Sequence, residues 1–497
     1  MNFNSLQFLI FLLIVLVLYW IIPHKFRWVL LLIASYYFYM SWNVWLIFLI
    51  IGTTLVSYGA AIAISRTEKK GWKKFWLILT LIVCLGALIF FKYIDFLIGS
   101  VIDFLNLFTL NLDSFAFNLL LPVGISFYTF QTLSYVIDVY RGKFKAELHL
   151  GYYALFVCYF PQLVAGPIER PGDLLPQLRE KHTLNYDDMS AGFRIFLYGF
   201  FLKCVIADFF GIFVNNVFSN LAGANSLSVY LAGILFVMQV FGDFAGYSLI
   251  ATGCARMMGV RLTRNFDRPY LADSCTDFFH RWHITLMRWF TDYVYIPLGG
   301  SRKGKIRTIF NVFVVFTLSG LWHGANWTFV IWGLYAAITV SVERILGKPF
   351  KQLCEKLKLD PEGTMFIFCR RFVTWLLLAF AGIIFRATSV AQIGEALRII
   401  FTGFNNYFNG AFASLGINTT QIVLMVLALV CMCMLWNFSE YEPKHEAQGS
   451  QLLSKTAERS VYAQKVSVYF YVILAVAVFW LFLLSLQGSS AFLYFQF

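Results

Sequence analysis

The sequence contains little charge: only 13% of its 497 residues are Asp, Glu, Lys or Arg, against about 25% in an ordinary soluble domain. Hydrophobic residues make up 60% of the chain, and the mean hydropathy is +0.71. This composition excludes a water-soluble fold, and it also excludes a disordered chain, which needs many charges. The nine cysteines show no paired spacing, so a disulfide scaffold is excluded as well. The sequence therefore predicts a polytopic membrane protein.

Histidine is also scarce, with only seven residues in the chain. Di-iron membrane enzymes need several clustered histidines to fill two metal coordination spheres, so this class is excluded. His280 and His283 lack an H-E-x-x-H pattern and a nearby third ligand, and we therefore expect no metal site. The chain also lacks a P-loop, a dinucleotide fingerprint and a G-x-S-x-G elbow, which argues against a self-contained ATPase or serine hydrolase.

The net charge of +13 could suggest nucleic acid as a partner. The basic residues, however, lie in short clusters between apolar runs, at 66–74, 302–307 and 348–371. Such clusters orient membrane proteins and are predicted to be cytoplasmic by the positive-inside rule. We therefore expect no nucleic-acid partner.

The apolar runs predict an all-α bundle of about 11–13 transmembrane helices with additional re-entrant and interfacial helices. The run near 94–110 should not form a crossing of its own, because the basic loop at 141–145 would then lie on the wrong side. Prolines and glycines interrupt the segment Phe160–Pro171, so it should be an irregular, buried or cavity-lining elbow. The polar segment 440–465 is interpreted as a solvated loop, and 467–486 as an apolar helix.

His323 is the most informative residue of the sequence. The apolar run that ends at His323 begins after Arg307, so the histidine should lie about 24 Å further along a helix, inside the membrane. Ionisable residues there usually face a bundle interior or a cavity. His323 could be a general base toward a hydroxyl group or a hydrogen-bonded structural histidine. Gly320 and Gly324 would let another helix or a thin substrate approach, and three neighbours could wall the cavity: Trp322, Asn326 and Trp327.

Two further constellations are candidates for the site. The segment Thr276–Leu298 carries an aromatic stripe at helical spacing, which is typical of an interfacial helix, and His283 would face a protein cavity or the headgroups. Gln239, Asp243 and Tyr247 recur every four residues and should form one polar seam, for which packing is favoured over catalysis.

Four stretches give the chain a family resemblance: PVGISFYTFQ at 122–131, FPQLVAGPIERP at 160–171, the segment 265–300 around RWHITL, and SGLWHGANWTFVIWG at 319–333. The chain resembles the membrane-bound O-acyltransferase family, in its alginate O-acetylase (AlgI-like) branch. The resemblance divides the chain into N-terminal transmembrane helices at 1–117, a catalytic core at 118–346 and a C-terminal transmembrane extension at 347–497. It implies a helical bundle around a membrane-embedded funnel.

The resemblance also implies a chemistry. His323 would occupy the catalytic histidine position and His283 the second functional position. The acetyl group would come from cytoplasmic acetyl-CoA as a substrate, with no permanently bound cofactor. The basic residues at 302–307 could attract the CoA phosphates, although a purely topological role is favoured on charge alone; they are Arg302, Lys303, Lys305 and Arg307.

The resemblance further implies partners and a location. An extracytoplasmic SGNH-type acetyltransferase would complete O-acetylation of a polysaccharide, either an exopolysaccharide or peptidoglycan, beside the lipids of a bacterial cytoplasmic membrane. Two alternatives remain open. One is D-alanyl transfer to teichoic acid, as in the DltB-like branch. The other is a lipid or sugar transporter that uses Asp243 and Gln239, against which the absence of symmetric halves argues.

Overall fold

The computed structural model describes residues 1–439 apart from positions 109, 114, 358 and 359, and helices dominate it. Within these residues there is no β-strand. The prediction of an all-α polytopic membrane protein is therefore confirmed. The predicted polar loop 440–465 and apolar run 467–486 lie outside the described residues.

The helices follow one another with short connections. The first half of the chain forms α1 Leu6–Ile21, α2 His24–Met40, α3 Ile47–Arg66, α4 Lys70–Leu88, α5 Ile94–Asn106, α6 Ile125–Tyr140, α7 Leu150–Cys158, α8 Pro171–Arg179, α9 Tyr186–Phe201, α10 Asp208–Ser219 and α11 Ser226–Met257. The second half forms α12 Cys275–Arg281, α13 Ile284–Phe290, α14 Lys305–His323, α15 Trp327–Lys356, α16 Thr364–Arg386, α17 Val390–Thr402, α18 Tyr407–Leu415 and α19 Thr419–Ser439.

Eight helical segments of the described chain are long and apolar enough to cross a membrane: Val44–Arg66, Lys70–Asn106, Tyr186–Ser219, Ser226–Met257, Lys305–His323, Trp327–Lys356, Thr364–Arg386 and Thr419–Trp436. α1 is apolar but shorter. The runs at 76–91 and 94–110 belong to one continuous segment, in agreement with the prediction that the second run is not a separate crossing. The total of 11–13 spans stays a prediction, because it includes residues beyond 439.

The packing of α9 against α11 depends on paired glycines. A Cβ atom at Gly199 would lie 2.7 Å from the Gly246 carbonyl oxygen, and one at Gly253 would lie 2.6 Å from the Gly192 oxygen. On each helix the two glycines are seven residues apart, which is about two turns. The two contacts therefore lie on the same face of each helix. Small residues at such spacing let membrane helices approach backbone to backbone.

α14 and α15 form a hairpin that uses the same device. A Cβ atom at Gly320 would overlap the Phe329 carbonyl oxygen, and one at Gly333 would overlap the Phe316 oxygen. This contact confirms the close helix approach that the sequence predicted at Gly320. It also fixes the end of α14 directly beside the start of α15.

A buried ion cluster joins α9, α10 and α11. A π-helical turn, Leu202–Ala207, connects α9 to α10 and carries Lys203. The Lys203 ammonium lies 2.8 Å from a carboxylate oxygen of Asp208 and 2.8 Å from one of Asp243. Lys203 and Asp243 are 1% and 2% exposed, so each compensates the other's desolvation.

Replacing Lys203 by Met should destabilise the protein by about 3–5 kcal/mol, because it removes the ammonium that lies 2.8 Å from the buried Asp243 carboxylate. The thermal unfolding temperature of the detergent-solubilised protein measures this effect. Lys303→Met, at an exposed position, serves as the control, and its unfolding temperature should stay close to that of the wild type. Equal unfolding temperatures for both variants would show that the cluster does not stabilise the bundle.

Candidate active site

His323 is the last residue of α14 and stands where the backbone leaves the helix. The chain continues at Gly324 in an extended conformation, with φ −164°. The imidazole is 7% exposed, and its ring centroid lies 5.1–5.3 Å from those of three aromatic neighbours, Trp322, Trp332 and Phe385. Aromatic walls therefore surround the histidine at a helix end.

The carboxyl end of α14 is capped from another part of the chain. A helix leaves its last four carbonyls without partners within the helix. Here each carbonyl accepts a hydrogen bond: Gly320 O from Gly324 N–H at 3.4 Å, Leu321 O from Tyr93 O–H at 2.8 Å, and Trp322 O and His323 O from the Lys92 ammonium at 2.7 and 3.2 Å. A cation is also the favoured charge at this end of the helix dipole.

Lys92 and Tyr93 reach α14 because of a π-helical turn, Ile89–Tyr93, that joins α4 to α5. Such a turn inserts an extra residue per turn and often marks functional positions. Sequence reasoning missed Lys92. The available signal was a single lysine between two long apolar runs, and an ionisable residue in that setting is a functional candidate by default.

His283 lies in a break between α12 and α13. Its backbone is left-handed, with φ +46°, a conformation that costs energy for a residue with a side chain. The side chain is buried, with 1% exposure. The sequence predicted one continuous interfacial helix here, and this detail is wrong, because the chain kinks at Trp282 and His283 and turns the imidazole into the protein.

Asn265 determines which nitrogen of His283 carries the proton. Its side-chain oxygen accepts hydrogen bonds from the Thr285 backbone N–H at 3.3 Å and the Thr285 hydroxyl at 2.9 Å, and it lies 3.1 Å from His283 Nδ1. Because this oxygen can only accept, Nδ1 must donate. The lone pair is then on Nε2, a buried atom with no hydrogen-bond partner in the described part of the chain.

His283 is neutral in this setting. It lies outside the eight candidate spans, and burial lowers its pKa well below the usual 6.5. An imidazolium would be costly among the aromatic rings of Phe127, Phe244 and Phe266, which offer no compensating hydrogen bonds. The neutral ring can accept a proton or a hydrogen bond at Nε2.

Trp322 joins the two histidines. Its ring centroid lies 5.4 Å from that of His283 and 5.1 Å from that of His323. Forty residues separate the histidines in sequence, so their proximity is a tertiary contact that spacing could not show. The structure therefore brings the two histidines that the sequence singled out into contact with one indole.

Two cavities border His323. The aromatic cavity has about 530 Å³ of empty space and is lined by His323 together with Phe236, Phe244, Phe278, Trp282, Trp332 and Phe385, among others. The lysine cavity has about 510 Å³ and is lined by His323 together with Lys92, Pro122, Ser126, Phe127, Val164 and Trp322, among others. Among the described residues, His323 alone lines both.

Other predicted cavity residues lie elsewhere. The Asn326 side chain caps α15 by accepting from Thr328 N–H. Trp327 is 51% exposed and donates from its indole to the Ser100 hydroxyl at 3.2 Å. Neither residue lines the aromatic or the lysine cavity, so their cavity role stays a prediction.

The polar seam of α11 is buried in packing contacts. Asp243 pairs with Lys203, the Tyr247 ring stacks on Phe3 at 4.2 Å, and the Gln239 amide packs against Gly211. None of the three predicted residues lines either cavity. These contacts agree with the packing interpretation that the sequence favoured.

The predicted phosphate-attracting residues Arg302, Lys303, Lys305 and Arg307 are all exposed at the start of α14. His323 follows Lys305 by eighteen residues, about 27 Å along the helix. These side chains are therefore at the opposite end of α14 from the two histidines. They could attract an anion toward the protein but could not touch a reacting group beside His323.

The elbow at 160–171 is fully buried and supports the His283 segment. The Glu169 carboxylate accepts hydrogen bonds from the Thr263 backbone N–H at 2.6 Å and the Thr263 hydroxyl at 2.8 Å. Ile168 N–H donates to the Thr285 hydroxyl at 3.1 Å. The elbow thus bonds Thr263, two residues before Asn265, and Thr285, which bonds the Asn265 side chain.

No group of three or more His, Cys, Asp or Glu side chains that could hold a metal occurs in the described ranges. The two histidines and Lys92 offer proton transfer and hydrogen bonding at a buried site lined mostly by apolar residues. This donor and acceptor set suits nucleophilic attack of a hydroxyl group on an activated carbonyl.

Glu169 should make stability depend on pH. Burial raises the pKa of its carboxyl from 4.5 to about 7, so the folded protein holds this proton more tightly than the unfolded chain. The stability that results from this tighter proton binding is fully present below pH 4.5 and is lost as pH rises through about 7. Glu169→Gln should match the wild-type unfolding temperature near pH 5 and exceed it above pH 8.

The exposed Glu180→Gln is the matched control, and its unfolding temperature should follow the wild type at every pH. A constant difference between Glu169→Gln and wild type from pH 5 to 8 would contradict the assignment.

Comparison with known proteins gives a consistent result. Residues 145–354 match the family model of the membrane-bound O-acyltransferases. The chain is 35% identical to a probable alginate O-acetylase AlgI of Pseudomonas putida, over 100% of both chains. It is 37% identical to the peptidoglycan O-acetyltransferase of Helicobacter pylori, over 63% of this chain and 64% of that protein.

A more limited similarity links the chain to the teichoic acid D-alanyltransferase of Bacillus subtilis, with 30% identity over 46% of this chain and 61% of that one. The full-length match to an O-acetylase and the family match over the segment that holds both histidines agree with the fold and the site. The chain belongs to the membrane-bound O-acyltransferase family and is a multi-pass membrane O-acyltransferase.

Proposed function

We propose that this protein transfers an acetyl group from cytoplasmic acetyl-CoA for the O-acetylation of an extracytoplasmic polysaccharide, and that His323 is its general base. The observation that carries the proposal is that His323 lines two different cavities. A donor and an acceptor that enter from different sides would meet at one imidazole. The names of the full-length and partial relatives support acetyl as the acyl group and a polysaccharide as the acceptor class.

The proposed reaction needs one base and one electrophile. His323 takes the proton of the acceptor hydroxyl as its oxygen attacks the thioester carbonyl. The new C–O bond forms and the carbonyl π electrons move to oxygen. The oxyanion then collapses and the C–S bond breaks. The sulfur takes the proton that His323 held and leaves as the CoA thiol. No metal is required for this sequence.

His283 has a second, assisting role. Its ring contacts Trp322, the indole that also contacts His323. Its Nε2 lone pair can accept a hydrogen bond from the acceptor or from an ordered water and so orient the attacking oxygen. The Asn265 hydrogen bond holds the ring in the tautomer that this role requires.

The basic loop at 302–307 is proposed to raise the local concentration of acetyl-CoA. Four exposed cations attract phosphate groups over several ångströms without forming a shaped site. Their distance of about 27 Å from His323 along α14 suits steering of the donor from the cytoplasmic side. The loop would also keep its topological role.

The location and partners follow from the same chemistry. We place the protein in a bacterial cytoplasmic membrane, because the donor is cytoplasmic and the proposed polymer lies outside. An SGNH-type acetyltransferase outside the membrane is the proposed partner that completes transfer to the polymer. Exopolysaccharide and peptidoglycan are both compatible with the acetylating relatives. D-alanyl transfer is the second candidate, and its shorter match places it behind acetylation.

Purified protein in detergent should transfer labelled acetyl from acetyl-CoA to a hydroxyl acceptor, and His323→Ala should lower kcat by about 10²–10⁴-fold, the usual contribution of a general base. His280→Ala is the matched control, because His280 is exposed on the neighbouring α12. This control should retain wild-type activity.

Equal activity of His323→Ala and wild type would overturn the proposed base. Transfer of D-alanine from a carrier protein, with no acetyl transfer, would favour the second candidate. Substrate flux without any acyl transfer would instead support a transporter.

Asn265→Leu should lower kcat by about tenfold, roughly the equivalent of one lost hydrogen bond, because His283 would no longer be held with its proton on Nδ1. Asn311→Leu provides the control, since Asn311 is a fully buried asparagine on α14 that lies about 18 Å from His323 along the helix. If both variants lost activity in proportion to their unfolding temperatures, Asn265 would have only a structural role.

A further inference from the structure

Lys92 has more hydrogen-bonding capacity than the helix cap uses. An ammonium group has three N–H donors. Two of them bond the carbonyls of Trp322 and His323, at 2.7 and 3.2 Å. No third hydrogen-bond partner of Lys92 occurs among the residues that the structure describes. One donor therefore remains on a cation that lies beside the general base.

That remaining donor is located at a cavity surface. Lys92 and His323 both line the lysine cavity, and Lys92 is the one charged residue among the described residues of its lining. The other polar groups of the lining are the His323 imidazole, the Ser126 hydroxyl and the Trp322 indole N–H, and apolar residues such as Val164 make up the rest. In a site of this kind a single cation acts at close range with little screening.

Capping alone does not require a charge at this position. Tyr93 caps the neighbouring carbonyl of Leu321 with a neutral hydroxyl at 2.8 Å. An ammonium inside an apolar span is costly to bury, so a neutral donor would cap the helix at lower cost. The charge is explained if a negative charge develops in the lysine cavity during the reaction.

We propose that Lys92 is a catalytic residue that donates its third N–H hydrogen bond to the oxyanion formed when the acceptor hydroxyl attacks the acetyl carbonyl. This inference rests on the proposed acetyl transfer and adds the group that stabilises the charge. In the step, the C–O bond forms, the hydroxyl proton moves to His323, and the carbonyl electron pair becomes the oxyanion beside Lys92. The hydrogen bond is released when the C–S bond breaks and the carbonyl re-forms.

The same hydrogen bonds that cap α14 prepare Lys92 for this role. The ammonium is fixed to the backbone of the residue that carries the base, 3.2 Å from His323 O, so base and donor keep a constant relation. Donors that are already in place when charge develops contribute strongly to rate, because the site does not reorganise. The Lys92 side chain is thus both a positioning group for α14 and a partner of the reacting oxygen.

The test compares Lys92→Met with Tyr93→Phe. Met matches the length of the lysine side chain without its donors, whereas Phe removes one cap hydrogen bond and leaves the ammonium. We expect Lys92→Met to lower kcat by about 10²–10³-fold, the usual loss for one oxyanion donor, with KM for acetyl-CoA and acceptor nearly unchanged. Tyr93→Phe should retain most activity, and Lys92→Arg should recover part of the loss.

A second readout separates catalysis from a structural role. The acetyl donor is compared with its dithioester, in which sulfur replaces the carbonyl oxygen and accepts hydrogen bonds poorly. The wild-type rate should fall strongly when sulfur replaces the oxygen. The rate of Lys92→Met should fall much less, because this variant has already lost the N–H group that bonds the oxyanion. If Lys92 only capped the helix, Lys92→Met would lower the rates with the thioester and the dithioester by the same factor.

Equal sensitivity of wild type and Lys92→Met to the sulfur exchange would overturn the assignment, as would a loss confined to KM for the acceptor. Failure of the proposed function gives a different result, because wild type itself would then transfer no acetyl, or His323→Ala would be as active as wild type. Either of those results would remove the reaction to which Lys92 contributes.

Discussion

The site depends on the capped carboxyl end of α14. Lys92 and Tyr93 bond the carbonyls of residues 321–323, and the glycine contact with α15 holds the same end from the other side. A helix end inside an apolar bundle would otherwise expose unpaired carbonyls at high cost. With this end fixed, the imidazole of His323 is held between two cavities rather than moving with a frayed terminus.

Around this helix end the protein builds a site from aromatic walls and few polar groups. Trp322 contacts both histidines, and Asn265 selects the tautomer of His283. The buried elbow bonds Thr263, near Asn265 in the chain, and Thr285, which bonds the Asn265 side chain. Asn265, Thr263 and Thr285 take no part in the proposed reaction and act only as supports. Such supporting contacts fix the geometry of the site before substrates enter, which is a main physical requirement for acyl transfer.

Much of this arrangement could be predicted from the sequence. The low charge gave the fold class, the intramembrane position singled out His323, and the interrupted backbone at 160–171 indicated a buried elbow. The rest depends on contacts between distant segments. Lys92 bonds a carbonyl 230 residues away, and the left-handed backbone at His283 needs tertiary support that periodicity does not encode. The Lys203 cluster was missed for the same reason, because the sequence around Asp243 does not indicate that Lys203, forty residues earlier, is its ion-pair partner.

The accessibility of position 323 to a thiol reagent shows whether this helix end borders an open cavity. In sealed vesicles, His323→Cys is treated with a small membrane-impermeant thiol reagent, in a chain whose more accessible cysteines at 369, 431 and 433 are replaced by alanine. If the helix end opens to a cavity that leads to water, this thiol should be labelled from at least one side of the membrane, while the fully buried Cys254 stays unlabelled. If the thiol at position 323 were as unreactive as Cys254 from both sides of the membrane, the end of α14 would not border a cavity that leads to water, and His323 could not meet both substrates.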